Sequence, residues 1–281
     1  MIFIKNILNK YCFYKRLNND LANEYIWSNV DNIINNNNNS KKAAVITPTI
    51  GKLSLITAIE SVCQQSYSDT THFIIVDGME FREKVYTAIS KCKFNKYELV
   101  VLPHNTGNGG MNGHRIYAAF PFLINSEYIF FLDEDNWFDP NHISSLIDAI
   151  EYNKLEWAYS MRKICTEQGE FIANDNCESL GDYRPYSRLP KLVDTNCYGF
   201  KRSTLVKSAH YWYHPLRADR YFFSHLKKAS PRYKSTDKYT VNYRLTDGRP
   251  PTPHYFLQGN QFMLDKYNNQ LPWARYNEGG A

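Results

Sequence analysis

Long hydrophobic runs are missing from this 281-residue chain: the longest apolar stretches are Ala43–Ile46, Phe73–Val76 and Tyr128–Leu132. A membrane-spanning helix needs ~20 apolar residues, so no transmembrane segment is expected. Near the N-terminus Lys5, Asn6, Asn9 and Lys10 interrupt the apolar residues, and a secretory signal with its continuous apolar core is not expected either. The six cysteines, Cys12, Cys63, Cys92, Cys165, Cys177 and Cys197, include no C-x-x-C pair and no tight Cys/His group. This argues against a zinc site and for reduced, mostly buried thiols in a cytoplasmic protein. Excess charge is also small, 33 basic against 28 acidic residues for a net +5, too little for an expected nucleic-acid partner. The glycine-rich stretch His104–Gly110 is not followed by Gly-Lys-Ser/Thr, so it is no P-loop. A G-x-G-x-x-G turn is missing after the first expected strand, where Pro48 and Thr49 stand, and this disfavours NAD(P) chemistry.

The residues that are present describe a folded enzyme-sized protein. Hydrophobic residues make up 43% and charged residues 22%, a globular composition that can bury a core. The 22 tyrosines and 16 phenylalanines belong mostly in core and rim, with some flat faces left to stack on bases or sugars. Over residues 1–34, Ile4, Leu8, Tyr11, Tyr14, Leu17 and Leu21 recur every three or four positions among Lys5, Lys10, Lys15 and Arg16. That is a helical segment, either packed on the main domain or lying as a basic amphipathic helix against a membrane surface. The first reading is preferred, and the second would make the protein peripheral at a membrane. Residues 35–42, with Asn35–Asn39 and Ser40, read as a linker.

From Ala43 the pattern alternates. Apolar runs at 43–46, 72–76, 98–102 and 127–132 read as strands, separated by helical spacings over 53–65, 81–91, 115–124 and 141–151. Four β–α units in order predict an α/β fold with a parallel sheet and helices on both faces. After residue 155 a hairpin is expected around Glu167-Gln168-Gly169, followed by short strands and loops. The organisation is then 43–155 for a ligand-binding half, 156–255 for a smaller mixed region, and 256–281 for a polar tail.

In open parallel sheets, ligands sit at the carboxyl ends of the strands. Here those ends carry Thr47-Pro48-Thr49, Asp77-Gly78, the Asn105–Gly113 loop and Asp133-Glu134-Asp135. Asp133 and Asp135 are hard oxygen ligands that could share Mn²⁺ or Mg²⁺ and leave room for phosphate oxygens. The alternative is an acidic approach to the helix that opens after Asp139-Pro140. Asp77 is either an acceptor for a nucleobase or ribose, or a turn acid before Gly78. The glycines of the loop let backbone approach a ligand closely.

These pieces, in this order, resemble the nucleotide-sugar half of a family 2-like glycosyltransferase. The residues concerned are Ala43–Gly51 with Ile56–Gln65, Phe73–Gly78, Asn105–Arg115 and Tyr128–Pro140. The resemblance implies a GT-A type fold, a Rossmann-like mostly parallel sheet flanked by helices with a smaller mixed acceptor-side region. It implies a nucleotide diphosphate-sugar donor, of which a UDP-sugar is the expected form, and a hydroxyl-bearing acceptor on a glycan, lipid or protein. Pro48, Thr49, Asp77, Asn108, Arg115, Asp133 and Glu134 match its donor-binding positions, and Asp133-Glu134-Asp135 its D-x-D metal motif. At Asp77 the family commonly has two acids and a small polar residue, whereas Gly78-Met79-Glu80 follows here. Asp219 matches the acid that begins the catalytic helix and would remove the acceptor proton in an inverting transfer, although Ala218 replaces the usual glutamate before it. Asp219 could equally cap a helix or pair with Arg217 or Arg220; Asp194 and Asp182 are weaker candidates for the base. Lys201 and Arg202 either approach the diphosphate or face solvent. Trp137 would pack beside the sugar, and Trp212 and Tyr213 would form an acceptor platform. Among His210, His214, His225 and His254 no spacing singles out a metal ligand. A nucleotidyltransferase that forms sugar nucleotides, and a non-catalytic sugar-binding module, are the other two classes the residues leave open.

Overall fold

A computed structural model describes residues 42–94, 96–183, 191–214 and 217–273. These all belong to one compact unit that begins at Lys42. The expected N-terminal helix and most of the linker lie outside the described residues.

The parallel half forms as the apolar runs require. β1 (Ala43–Thr49) pairs in parallel with β2 (Thr70–Val76) on one side and β4 (Tyr128–Phe131) on the other, and β3 (Glu98–Val101) extends the sheet beyond β2. Strands covered on both faces read as unbroken hydrophobic runs, and Tyr128-Ile129-Phe130-Phe131 is buried at every position. The pleat then sorts β2 between the faces: Ile74 and Val76 join Leu55, Ile59 and Val85 in one cluster, while Ile75 joins the main core. The helices of this half are α1 (Leu55–Cys63), α2 (Arg82–Ile89), α3 (His114–Ala119) and α4 (His142–Tyr152).

Beyond β4 the sheet changes direction. β8 (Tyr198–Lys201) lies antiparallel to β4, pairing Tyr128 with Lys201, and β6 (Trp157–Cys165) lies antiparallel to β8, pairing Trp157 with Phe200. β9 (Tyr233–Arg244) runs parallel to β6, and the two-residue β5 (Trp137–Phe138) closes the far edge on β9. β7 (Phe171–Asn174) forms the expected hairpin with β6 through Gly169, whose φ of 94° suits glycine. The strand order is β3-β2-β1-β4-β8-β6-β9-β5, so the two halves of the chain share one sheet. β8, with Gly199 against the Phe130 ring, joins them.

Among the described residues of the second half the α-helices are α5 (Arg202–Ser208), α6 (Ala218–Ala229) and α7 (Pro253–Lys266). The segment expected to be a polar tail therefore begins as a helix. Thr252 caps it by accepting from the Tyr255 amide, Pro253 occupies its first turn, and Phe256, Gly259 and Met263 are buried beneath it. Trp212, expected at an acceptor platform, is instead core: it is fully buried, stacks on Phe222 with ring centroids 4.4 Å apart and meets Phe131 edge-on. Tyr213 next to it is exposed and lies over Arg115. Cys63, Cys92, Cys165, Cys177 and Cys197 are free thiols, the last three buried. Among the described residues no helix is long and apolar enough to cross a membrane.

Candidate active site

A cleft of about 660 Å³ runs along the carboxyl ends of β1, β2 and β4 and is closed on its other side by the start of α6 and by residues 243–251. Of the residues singled out from sequence, Pro48, Thr49, Asp77, Asp133, Glu134, Asp135 and Asp219 all line it. Each stands where an apolar strand ends or a helix begins, so the fold itself brings together groups that are far apart in sequence.

The exit turns of β1 and β4 are tied to each other. Thr49 Oγ1 donates to Glu134 Oε2 at 2.5 Å while accepting the Gly51 amide at 2.9 Å, and the Lys52 amide also donates to Glu134 Oε2, at 3.0 Å. Gly51, at φ 80°, makes the turn possible. Thr49 Oγ1 and Glu134 Oε2 thus tie the two strand tips together.

Asp133 is held by partners from both halves of the chain. Its Oδ1 accepts from the Tyr117 phenol at 2.7 Å and its Oδ2 from Asn196 Nδ2 at 2.9 Å, while its own amide donates to Asn196 Oδ1 at 2.6 Å. Burial first, then the neighbouring carboxylates of Asp135 and Asp194, push its carboxyl up to about 7 against the pull of Tyr117 and Asn196. Burial together with Asp133 holds the Tyr117 phenol well above its ordinary range, so it stays a donor. Asp135 is more open and pairs with Lys52 Nζ at 2.8 Å. Burial of Lys52 works against its charge, but Asp135, Glu134 and Asp133 outweigh that and raise its ammonium.

Asp77 faces the cleft from β2 and organises the glycine loop. Its Oδ1 accepts from both the amide and the hydroxyl of Thr106 at 2.7 Å, and its Oδ2 from the Gly107 amide at 2.8 Å. Asp219 sits in the first turn of α6, where its Oδ1 accepts the Arg220 amide at 2.7 Å and the unpaired amides of a helix start favour a carboxylate. His114 stands on the same wall; burial lowers its imidazole and the charge of Asp219 pulls it back.

Several expected residues stand elsewhere. Asn108 is exposed at the loop tip and does not line the cleft. Arg115 turns its guanidinium to the Thr106 carbonyl at 2.8 Å, bracing the loop from outside the cleft. Lys201 pairs with Glu151, and Arg202 is buried with its Nε on the Pro121 carbonyl at 3.0 Å, so neither reaches the cleft. Trp137 lies under the Arg244 guanidinium rather than in the cleft wall. Asp182 is bound by Lys191 and Lys266, which hold its carboxyl well below the usual range despite some burial. Asp194 does line the cleft, but its Oδ2 is committed to Arg162.

Tyr117 and the cations Lys52, Arg244 and Arg249 also line the wall without having been singled out as contacts, Arg217 lines it beside Asp219, and Asn196 stands buried behind it on Asp133. Among the described residues no set of three His, Cys, Asp or Glu side chains is grouped to hold a metal. The acidic edge nevertheless fits a dication shared with phosphate oxygens. Asp133 and Asp135 supply hard oxygens, each Asp133 oxygen keeps a lone pair beyond its one hydrogen bond, and the crowding of three carboxylates is what such a charge relieves.

Parallel strands whose tips carry the acids, continued by an antiparallel half that presents a helix start across the cleft, make this an α/β protein of the GT-A glycosyltransferase type. Residues 44–210 match the model of glycosyl transferase family 2; the chain belongs to that family and is a glycosyltransferase. Among solved structures, residues 1–349 of Staphylococcus aureus TarS in complex with UDP-GlcNAc are similar at a TM-score of 0.52 and 13% identity, covering 83% of this chain and 69% of that one. The same TarS fragment in complex with UDP gives a TM-score of 0.50 at 14% identity, covering 83% and 68%. No curated protein matches the chain.

Proposed function

We propose that the cleft binds a nucleotide diphosphate-sugar, with UDP as the expected nucleotide, and passes the sugar with inversion to a hydroxyl of a glycan, lipid or protein. One observation carries the reading: Asp77, the Asp133-Glu134-Asp135 triplet and Asp219, from three separate elements, share one cleft wall system with four cationic side chains. The TarS complexes with UDP and UDP-GlcNAc, on a similar fold, support the choice of donor.

In this reading Pro48, Thr49 and Asp77 form the nucleoside end, Asp77 through the loop it holds. Asp133 and Asp135 would hold Mn²⁺ or Mg²⁺, which when bound neutralises charge on the departing diphosphate. Arg217, Arg244 and Arg249 line the wall where anionic oxygens need partners. Asp219 takes the proton of the acceptor hydroxyl as its oxygen attacks the anomeric carbon; the bond from that carbon to the diphosphate breaks, and the nucleoside diphosphate leaves with the electron pair.

The test is substitution with two readouts. Asp135→Ala is expected to abolish both sugar transfer and metal-dependent UDP binding while the protein still melts cooperatively. Asp219→Asn should lower kcat at least a hundredfold and leave UDP binding as it was. Full transfer by Asp135→Ala would remove the metal role, and full transfer by Asp219→Asn would remove the base. A panel of nucleotide sugars read by thermal shift, with and without Mn²⁺, identifies the donor.

A further inference from the structure

Asn196 belongs to the second half of the chain, yet it bonds both the main chain and the side chain of an acid of the first. It lies in the short 3-10 turn Thr195–Cys197 just before β8 and is fully buried. Its carboxamide spans both the backbone and the side chain of Asp133: Oδ1 accepts the Asp133 amide at 2.6 Å, and Nδ2 donates to Asp133 Oδ2 at 2.9 Å. The second Nδ2 hydrogen goes to Asp194 Oδ1 at 2.8 Å, and the Asn196 amide donates to that same oxygen at 3.0 Å. The amide orientation is fixed by chemistry, since the reverse would aim a carbonyl oxygen at two carboxylates. All of its donors and its acceptor are used.

Asp194 is anchored in turn. Its Oδ2 meets Arg162 Nη1, and Arg162 is buried on β6 with Nε on Asp175 Oδ2 at 2.8 Å and Nη2 on Glu178 Oε2 at 2.6 Å. The chain of contacts runs from a buried cation through Asp194 and Asn196 to the tip of β4. Arg162, Asp194 and Asn196, which link that cation to the strand tip, are all buried, on β6 and in the 3-10 turn with its cap.

We propose that Asn196 is the positioning residue of the acidic edge: it sets the orientation of Asp133, and so makes donor binding by the first half conditional on the folding of the second. The inference rests on the reading of the cleft as a nucleotide diphosphate site. An aspartate at 196 could not serve, because it would bring a third carboxylate to Asp133 and Asp194 with no hydrogens to share. Alanine would leave the Asp133 amide buried without an acceptor and free the carboxylate to turn about its remaining bond to Tyr117.

The experiment measures equilibrium binding of UDP with Mn²⁺ to the full chain by titration calorimetry, so that no turnover is needed. Asn196→Ala is expected to weaken binding at least tenfold. Without Mn²⁺ the same substitution is expected to change UDP binding less than twofold, because the ion that Asp133 would help to hold is then missing. A role confined to stability would lower the melting temperature but leave affinity unchanged, or would act equally with and without Mn²⁺; either result overturns the proposal. Asn196→Ser, which keeps one donor, should fall between wild type and Asn196→Ala, and it carries the comparison if the alanine variant does not fold. Wild-type protein that binds no UDP with Mn²⁺ would overturn the reading of the cleft and this inference with it; wild-type binding kept in full by both variants would overturn the inference alone.

Discussion

Asp77 and Gly107 hold each other: Asp77 Oδ2 accepts the Gly107 amide at 2.8 Å, and a Cβ on residue 107 would stand 2.9 Å from that same oxygen and 2.4 Å from the Asn112 carbonyl. The loop that follows is fastened at this point, since the amides of Met111 and Asn112 both return to the Gly107 carbonyl at 3.1 Å. Gly107→Ala must therefore push the loop off its carboxylate. Because the loop sits on the surface, the expected cost falls on binding rather than on folding: UDP affinity down at least tenfold with little change in melting temperature. Asp77→Ala, which deletes three accepted hydrogen bonds, should give a loss of similar size. Titration calorimetry on the two variants checks this, and wild-type affinity in Gly107→Ala would show that the loop does not shape the donor site.

Arg162 faces Asp175, Glu178 and Asp194 from a position with almost no solvent contact, and its guanidinium lies 4.2 Å from the centroid of the Tyr243 ring. Burial works against the charge, but the three acids outweigh it and hold the guanidinium far above its ordinary range. Such a group is costly to break from one side. Arg162→Met leaves Asp175 and Asp194 without their cation and Glu178 with only Arg220, at 3.4 Å, and a loss of about 3–5 kcal/mol in unfolding free energy is expected from chemical denaturation. A loss below about 1 kcal/mol would mean that the acids find other partners.

What the sequence made legible follows from burial. β1, β2 and β4 are covered on both faces, so each is an apolar run that stops at a polar turn, and the acids at Asp77 and Asp133–Asp135 mark the stops. The second half was harder because its strands pair across long intervals: β9 joins β6 with Trp157 opposite Tyr233 and Cys165 opposite Arg244. Contacts such as Asn196 with Asp133 span 63 residues and leave no periodic trace. Side-chain direction was also invisible. Trp212 and Tyr213 are adjacent and aromatic, yet the first is 0% exposed and the second 62%. The turn after α5 points one inward and the other outward, which no local pattern encodes.

That difference gives its own prediction. Trp212 fills the space between Phe131 of β4 and Phe222 of α6, and its removal opens a cavity where the two halves meet. Trp212→Ala should cost about 3–5 kcal/mol in denaturant unfolding, whereas Tyr213→Ala should stay within about 0.5 kcal/mol. Equal costs, or a Trp212→Ala protein as stable as wild type but weaker for acceptor, would return Trp212 to the cleft.

Two buried histidines set the acid limit of the fold. His72 Nε2 lies 2.8 Å from Thr47 Oγ1 between strands, and His142 Nδ1 lies 2.8 Å from Thr240 Oγ1, with its ring stacked on Phe138. Burial alone pushes both imidazoles down to about 3, so the folded protein keeps them neutral. In the unfolded chain they take up protons near pH ~6.5. Below that pH the unfolded state binds more protons than the folded one, and stability falls as pH falls. The contribution is complete above pH ~6.5 and is lost progressively toward about pH 3, at up to about 1.4 kcal/mol per pH unit for each histidine. Urea midpoints measured from pH 6.5 to 5 should therefore decline, less steeply than two histidines alone would give, because Asp133, raised to about 7 in the fold, takes up its proton there and works in the opposite direction. His72→Gln, whose amide can still meet Thr47, should remove roughly half of the slope that the two histidines supply, whatever it does to stability at pH 7.5. A slope unchanged by that substitution would mean that other groups take up the protons.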